Sequence, residues 1–380
     1  MAFYKKILIL IIIILFSYII WRLILKQYQI KDMIRQTQNK EGFFGSGSPE
    51  DELSSIKNST PITILSVDNT QNGYDNIPIN QFVIKASYNT VVTGLYTNLN
   101  MVQYVLSRGC RYLDFEIFIG KDSQTPCIAY TTDYEYTTID TSNYLSIDDV
   151  FDSINNYAFS AANTPNYNDP LFINLRIKSK DITVYSKIAT AIHNSFVSKL
   201  HKGIINGSTP LSKLMGSIVI IIDKSINPDY QTLIYNDKTK RGVNNGVDSN
   251  EKPYYDLTDY INLNSGTSDL LQTTYNQYTV ANQSSLIISP DVNKCSVCIR
   301  TNTKDTLNYN IILPDDASKD IKNPIIDTYI MNFACQIIPY KFYSNDENLK
   351  DYENMFNKKN TAFMPISKCI EYIKKKKNIK

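Results

Sequence analysis

Histidine is nearly missing from this sequence: 380 residues contain two, His193 and His201. They stand eight apart on one predicted helix beginning near Ile182, which leaves no histidine pair for a metal or for acid-base chemistry at converging strand ends. An excess of charge is also lacking. Lys and Arg number 39 against 37 Asp and Glu, a net of +2, so no global field draws the chain to nucleic acid, and no nucleic-acid partner is expected. Cysteine is sparse. The six residues Cys110, Cys127, Cys295, Cys298, Cys335 and Cys369 are too few in so long a chain for a disulfide-stapled scaffold. Cys295 and Cys298 form a C-x-x-C, but no second pair and no nearby histidine completes the four ligands of zinc, so these read as ordinary buried thiols.

What the sequence does have is one long apolar run. From Ile7 to Trp21 every side chain is apolar except Ser17 and Tyr18, and Leu23 to Leu25 extend the run past Arg22. Residues 7–25 therefore read as a transmembrane helix, with the lipid bilayer as a partner. Trp21-Arg22-Leu23 offers no small-residue cleavage site, which argues against a removed signal. Arg22 and Lys26 can snorkel, and Trp21 and Tyr18 suit the headgroup boundary. Basic residues flank both ends, and Asn58, Asn206 and Asn282 begin glycosylation sequons, so membrane orientation stays open. Residues 1–6 form a short tail, and residues 26–78, polar and mixed in charge, read as a flexible tether. Residues 371–380, with the run Lys374 to Lys377, read as a solvated basic tail.

Beyond the tether, short apolar runs alternate with segments of helical period. Phe82–Ile84, Tyr112–Ile119, Leu171–Ile177 and Ser217–Ile222 have strand length, whereas Met101–Leu106, Ile147–Phe159 and Ile182–Leu200 have helical period. Cys295–Arg300, Tyr309–Leu313 and Ile330–Phe342 are strand-like and separated by Asn-, Asp- and Ser-rich loops. The alternation predicts parallel strands covered by helices, as a doubly wound sheet or a closed barrel.

Seven blocks carry a resemblance. Ile84-Lys85-Ala86-Ser87-Tyr88-Asn89-Thr90-Val91-Val92-Thr93-Gly94 resembles the opening strand and loop of the phosphoinositide-specific phospholipase C X region, Ser-Ser-His-Asn-Thr-Tyr-Leu-Thr-Gly. Arg108 to Glu116 resembles that family's Gly-Cys-Arg-x-x-Glu-Leu-Asp strand, and Pro126 to Tyr130 its Pro-x-x-x-His strand. Ile147–Phe159 and Pro170–Ser179 resemble the helix and strand that follow, and Cys335–Phe342 and Ala362–Pro365 are similar to parts of its Y region. The resemblance implies an α/β distorted TIM (β/α)8 barrel of the PLC-like phosphodiesterase type over residues 79–370, preceded by the transmembrane helix.

It also implies a site that can be checked residue by residue. In the family two histidines flank the phosphorus, and a calcium held by Asn and carboxylates offsets developing charge. The histidine positions fall on Tyr88 and Tyr130. Asn89 keeps the metal-binding asparagine, and Asp114 and Glu116 the carboxylates of one strand face. The third carboxylate falls on Arg176, and of the basic residues expected on later strands only Lys224 stands near. Making a tyrosine of pKa about 10 into a base at pH 7 takes roughly 4 kcal/mol of local electrostatics, and two would be needed. No catalytic residue is then intact, and no cofactor is expected. An internal ion pair of Arg176 with Asp114 and Glu116 would satisfy all three charges without a ligand. The sequence therefore points to a membrane-anchored, inactive binding or structural module, with membrane or particle proteins as partners. The competing reading is a phosphodiester hydrolase using Ca2+ at Asn89, Asp114 and Glu116.

Overall fold

The computed structural model describes residues 47–57, 59–67, 77–119, 125–133, 135–179, 181–275, 287–291, 296–301, 304–305, 308–314 and 322–377. In chain order the first half holds α1 (Pro49–Ile56), β1 (Phe82–Ile84), β2 (Ala86–Ser87), α2 (Leu99–Ser107), β3 (Tyr112–Ile119), β4 (Pro126–Ala129), β5 (Leu145–Ser146), α3 (Ile147–Tyr157), β6 (Leu171–Ile177) and α4 (Val184–Phe196). The second half holds β7 (Ile218–Asp223), α5 (Tyr230–Lys240), β8 (Leu263–Ser265), β9 (Leu271–Thr274), β10 (Ile287–Asp291), β11 (Ser296–Thr301), β12 (Lys304–Asp305), β13 (Asn310–Leu313), α6 (Ile326–Phe333), α7 (Glu347–Lys359), β14 (Phe363–Pro365) and α8 (Ile366–Lys376).

The main sheet has the order β5-β4-β3-β6-β7-β8, with β2 also paired to β3. Its β2, β3, β6, β7 and β8 run parallel, and a helix lies in each crossover between them, as the alternating pattern predicts. Strand β7 is buried along its whole length, so its Ile-Val-Ile-Ile-Ile-Asp run has no need of alternation. Strand β3 differs. Leu113, Phe115 and Ile117 take one face, while Tyr112, Asp114 and Glu116 take the other, so a row of polar side chains is carried inside the fold. Elsewhere β13 pairs with β9, β1 pairs with β14, and β10 to β12 form a small antiparallel sheet. The named strands make open sheets rather than one closed ring among the described residues. Single bridges, Ile84 to Ile337, Ser87 to Tyr340 and Ile311 to Ile337, run between the separate pieces.

Several expectations need correction. Within the stretch assigned to a flexible tether, residues 49–57 and 59–67 join the fold. In α1, Leu53 and Ile56 are buried, and the Glu52 carboxylate accepts from Thr93 Oγ1 at 2.7 Å and from the Leu95 N–H at 3.1 Å. Further on, Thr60 O accepts from Arg108, and the Val67 N–H donates to Asp169. Ile64 packs so closely that its Cδ1 would lie 2.9 Å from a Cβ added at Gly109, whose φ of +80° already favours glycine. Two apolar residues and one multiply bonded carboxylate suffice to dock this segment, a pattern too short for helical periodicity to reveal.

At the other end, the basic run is the last turn of α8 rather than a free tail: Ile373 is buried, and Lys376 and Lys377 pair with Asp351 and Asp327. Ile330–Phe342 is not a strand. It begins as α6, which ends on Ala334 in the left-handed region, and continues as a loop bridged at Ile337 and Tyr340. Helix α4 stops at Phe196, so His201 lies beyond it, and the residue's N–H donates to Ile218 O. The apolar run 7–25 and Cys295 lie outside the described residues; among those described, no helix is long and apolar enough to cross a membrane. Cys110, Cys127, Cys335 and Cys369 are buried, as the sequence suggested for its thiols in general.

Candidate functional site

Register brings the site together. Parallel pairing of β3 with β6 sets Asp114 beside Asn174 and Glu116 beside Arg176. Alternation along each strand then puts Asp114, Glu116, Asn174 and Arg176 on one face, with Arg176 toward the C-terminal end of β6. From β2 the chain turns through Asn89, whose φ of 44° lies in the left-handed region that asparagine tolerates better than most residues. That turn lets the Asn89 N–H donate to Asp114 Oδ2 at 3.1 Å, and its side chain reaches the same cluster.

Arg176 is the hub. Its Nε donates to Asp114 Oδ1 at 2.9 Å, and its Nη2 donates to Asp114 Oδ2 and to Asn89 Oδ1, both at 2.7 Å. Its Nη1 lies 2.8 Å from Glu116 Oε1. The remaining acceptor capacity is also engaged. Asn174 Nδ2 donates to Asp114 Oδ1 at 2.8 Å, Asn89 Nδ2 to Glu116 Oε1 at 3.3 Å, and the Thr131 N–H to Glu116 Oε2 at 3.0 Å. Lys178 Nζ stands 3.4 Å from Glu116 Oε1, so two cations face two carboxylates. All four charged side chains are at most 2% exposed. Burial by itself would lower the Arg176 pKa, but Asp114, the Tyr88 hydroxyl and Glu116 together hold it well above its ordinary value. The guanidinium is therefore a permanent cation here.

Tyr88 and Tyr130, the two tyrosines singled out by the sequence, flank this hub in different ways. Tyr88 is buried, with its ring 4.6 Å from Arg176 Cζ, a cation–π contact. Tyr130 is half-buried at the end of β4, near Tyr343. Burial, with Tyr130 and Glu116 close by, pushes the Tyr343 phenol well above its usual pKa. Neither histidine reaches the cluster: His193 Nδ1 lies 3.0 Å from Tyr260 Oη, and its ring stacks on Tyr255 at 4.1 Å. Lys224 follows β7, and its N–H donates to Ser265 O.

Sequence reasoning missed Lys178, Asn174 and Tyr343. Lys178 and Asn174 were accessible in principle, each two positions from Arg176 and hence on its strand face. Tyr343 was not, because it arrives from a loop far along the chain.

Asp223, at the end of β7, has the opposite electrostatics. Burial raises its pKa above the usual carboxylate value, against hydrogen bonds from Ser225 and Gln272 that lower it. Gln272 Nε2 donates to Asp223 Oδ2 at 2.9 Å, while Gln272 Oε1 is buried without a partner among the described residues. A raised folded-state pKa means that the ionised group costs stability above the unfolded pKa of about 3.9, and that this cost fades as pH falls through the folded value. Asp223→Asn can donate to Gln272 Oε1 after the glutamine amide turns over. We expect the variant to be more stable than wild type by about 1 kcal/mol at neutral pH, with the difference shrinking toward acid. Denaturant unfolding of both proteins across the acid-to-neutral range measures it. A difference that instead favours wild type at neutral pH would mean that Ser225 and Gln272 outweigh the burial of the charge.

The fold is α/β, with parallel central strands that bring Asp114, Glu116 and Arg176 together beside the turn at Asn89. Residues 75–221, under half of the chain, match the family model for phosphatidylinositol-specific phospholipase C, X domain. The chain's fold is similar to that of L. pealei PLC21, at 14% identity and a TM-score of 0.53, the match covering 86% of this chain and 42% of that one. S. officinalis PLC21 matches at 14% identity and a TM-score of 0.49, over 87% of this chain and 41% of that one. A calcium-dependent phosphoinositol-specific phospholipase C from Pseudomonas sp. matches at 11% identity and a TM-score of 0.34, over 56% of this chain and 72% of that one. The chain thus spans less than half the length of the two PLC21 structures. A search of the curated proteins found no match.

Proposed function

We propose that this chain is a membrane-anchored X-domain protein without phospholipase activity, in which a buried ion pair has replaced the metal site and the domain serves as a binding or structural module. One observation carries the reading: the Arg176 guanidinium engages Asp114, Glu116 and Asn89 at 2.7 to 2.9 Å. A calcium ion needs six to eight oxygen ligands, several of them anionic. Here those oxygens already accept from N–H donors, and the third carboxylate position is a fixed cation. The residues present do not fit calcium.

The acid-base side agrees. Tyr88 packs against the Arg176 guanidinium, so its hydroxyl would lose that packing on moving toward a substrate. The competing reading, a metal-dependent phosphodiester hydrolase, requires Arg176 to leave two buried carboxylates, which is expensive. The separate sheets joined by bridges at Ile84, Ser87, Ile311, Ile337 and Tyr340 support a distorted (β/α)8 barrel as the underlying architecture. The apolar run 7–25 supports a single-pass anchor, with membrane or particle proteins as the partners of the module.

The test is calorimetric titration of calcium into the full-length chain in mild detergent, with phosphatidylinositol hydrolysis assayed on the same sample. We expect neither binding nor turnover. We also expect Tyr88→His combined with Tyr130→His to remain inactive, because the metal position stays blocked. Micromolar calcium binding together with turnover by the wild-type chain would overturn the reading.

A further inference from the structure

Two identical dipeptides stand in opposite surroundings. Asn206-Gly207 lies between α4 and β7, and Asn245-Gly246 follows α5; a third such pair, Asn72-Gly73, is outside the described residues. The pairing matters chemically. A glycine nitrogen, with no Cβ beside it and a permissive backbone, is the least hindered main-chain nucleophile that can follow an asparagine side-chain amide.

The first pair is tied down. Asn206 Oδ1 accepts from the Ser208 N–H and from Ser208 Oγ, both at 3.0 Å, and the Asn206 N–H donates to Thr209 Oγ1 at 3.1 Å. Gly207 O accepts from the Asn80 N–H at 3.0 Å, and a Cβ added at Gly207 would lie 3.1 Å from the Cβ atoms of Asn80 and Tyr309. The Asn206 amide therefore cannot swing onto the Gly207 nitrogen without breaking its own bonds and pressing on those neighbours.

The second pair has none of these restraints. Asn244 and Val247 exchange both backbone bonds, at 2.8 and 3.0 Å, and enclose Asn245 and Gly246 at φ of 53° and 78°. This is a hairpin tip of the I′ kind that Asn-Gly favours. Asn245 and Gly246 are exposed, neither the Asn245 side chain nor the Gly246 N–H has a hydrogen-bond partner among the described residues, and a Cβ at Gly246 would meet nothing within 4 Å. A tip held by so few bonds opens far more readily than the core.

We propose that Asn245 is a site of spontaneous intramolecular deamidation in the folded protein, and that Asn206 is protected from it. The Gly246 nitrogen attacks Asn245 Cγ, and the new C–N bond closes a succinimide ring. The side-chain NH2 leaves with the Gly246 proton as ammonia, and water then opens the ring at either carbonyl. The products are aspartate and isoaspartate, each carrying a negative charge where the amide was neutral, and water is the only co-reactant. In isoaspartate the main chain runs through the former side-chain carbon, which lengthens the tip and breaks the pairing of Asn244 with Val247. Gly246 and Val243 line a small pocket with Lys238 and Tyr254, so the wall of that pocket changes in charge and shape.

The test is a time course of the full-length chain in mild detergent at body temperature and mildly alkaline pH. Peptide mass spectrometry, with fragmentation that separates isoaspartate from aspartate, reads each pair. Conversion at Asn245 is expected to be about tenfold or more faster than at Asn206 in the folded chain. In the urea-unfolded chain the two are expected to convert at similar rates, because the same dipeptide then has no structure to distinguish it. Asn245→Gln is expected to abolish the product at that position, since the longer side chain closes a larger and less favoured ring. Asn206 converting as fast as Asn245 in the folded chain overturns the proposal. So does a rate difference that persists in urea, or a folded chain in which Asn245 stays intact while the unfolded chain converts.

Discussion

Arg176→Met is expected to cost the fold about 3–5 kcal/mol, because it leaves Asp114 and Glu116 buried with only Lys178 as a counter-charge. In a domain of this size that is a fall in melting temperature on the order of 5–10 °C, readable by scanning calorimetry. The physical origin is the asymmetry of buried ion pairs. Forming one gains little over an apolar core, since desolvation consumes most of the Coulomb attraction, but removing one partner strands the other charge in a low-dielectric interior. The triple variant Arg176→Met, Asp114→Asn, Glu116→Gln is therefore expected to recover much of the loss, although it has fewer charge-assisted bonds than wild type. If the single and triple variants are equally unstable, the cost comes from lost packing around the Arg176 stem rather than from stranded charge.

Arg176→Glu inverts the same logic and has the larger functional consequence. It sets a third carboxylate beside Asp114, Glu116 and Asn89, so the metal-free variant carries three like charges around one small volume and is expected to be less stable than Arg176→Met. Those are also the groups a hard divalent cation wants. Calcium is then expected to restore stability in a concentration-dependent way, by about 2.7 kcal/mol when calcium exceeds the dissociation constant a hundredfold, and a chelator is expected to reverse the effect. The wild-type melting temperature should not respond to calcium or chelator. Thermal scans of both proteins with and without calcium decide the matter. A variant indifferent to calcium would show that more than Arg176 stands between this cluster and a metal site, with Lys178 the first residue to suspect.

The two experiments separate stability from activity. Neither introduces an imidazole, so metal binding by Arg176→Glu does not by itself imply turnover. Tyr88 also changes its surroundings in that variant, since its ring loses the guanidinium it packs against.

Much of the cluster was legible in the amino-acid sequence because strands have a period of two. Asp114 and Glu116 share a face whatever their strand pairs with, and Arg176 sits in an apolar run where a charge must find a partner. The parallel αβ alternation was legible for a similar reason, as helical and strand periods differ. What the sequence did not disclose depends on contacts across long separations. Register decides that Glu116 lies beside Arg176 and Asp114 beside Asn174, and a shift of one residue would have turned these side chains to the opposite face. The docking of α1 rests on Glu52 reaching Thr93 and Leu95, forty and more positions away, and the sequence around Glu52 reads as a polar linker. Tyr343 beside Tyr130, and Arg108 paired with Glu353, are likewise products of chain return.

The sequence by itself determined the residue types at each expected site position, including the absence of histidine and the presence of one cation that cannot be discharged, because ionisation chemistry belongs to the side chain. Only the tertiary structure decided that this cation bridges both carboxylates and the asparagine. Hydrogen-bond partnership at 2.7 to 2.9 Å depends on register and on the turn at Asn89, and no local pattern encodes these separately from the folded whole.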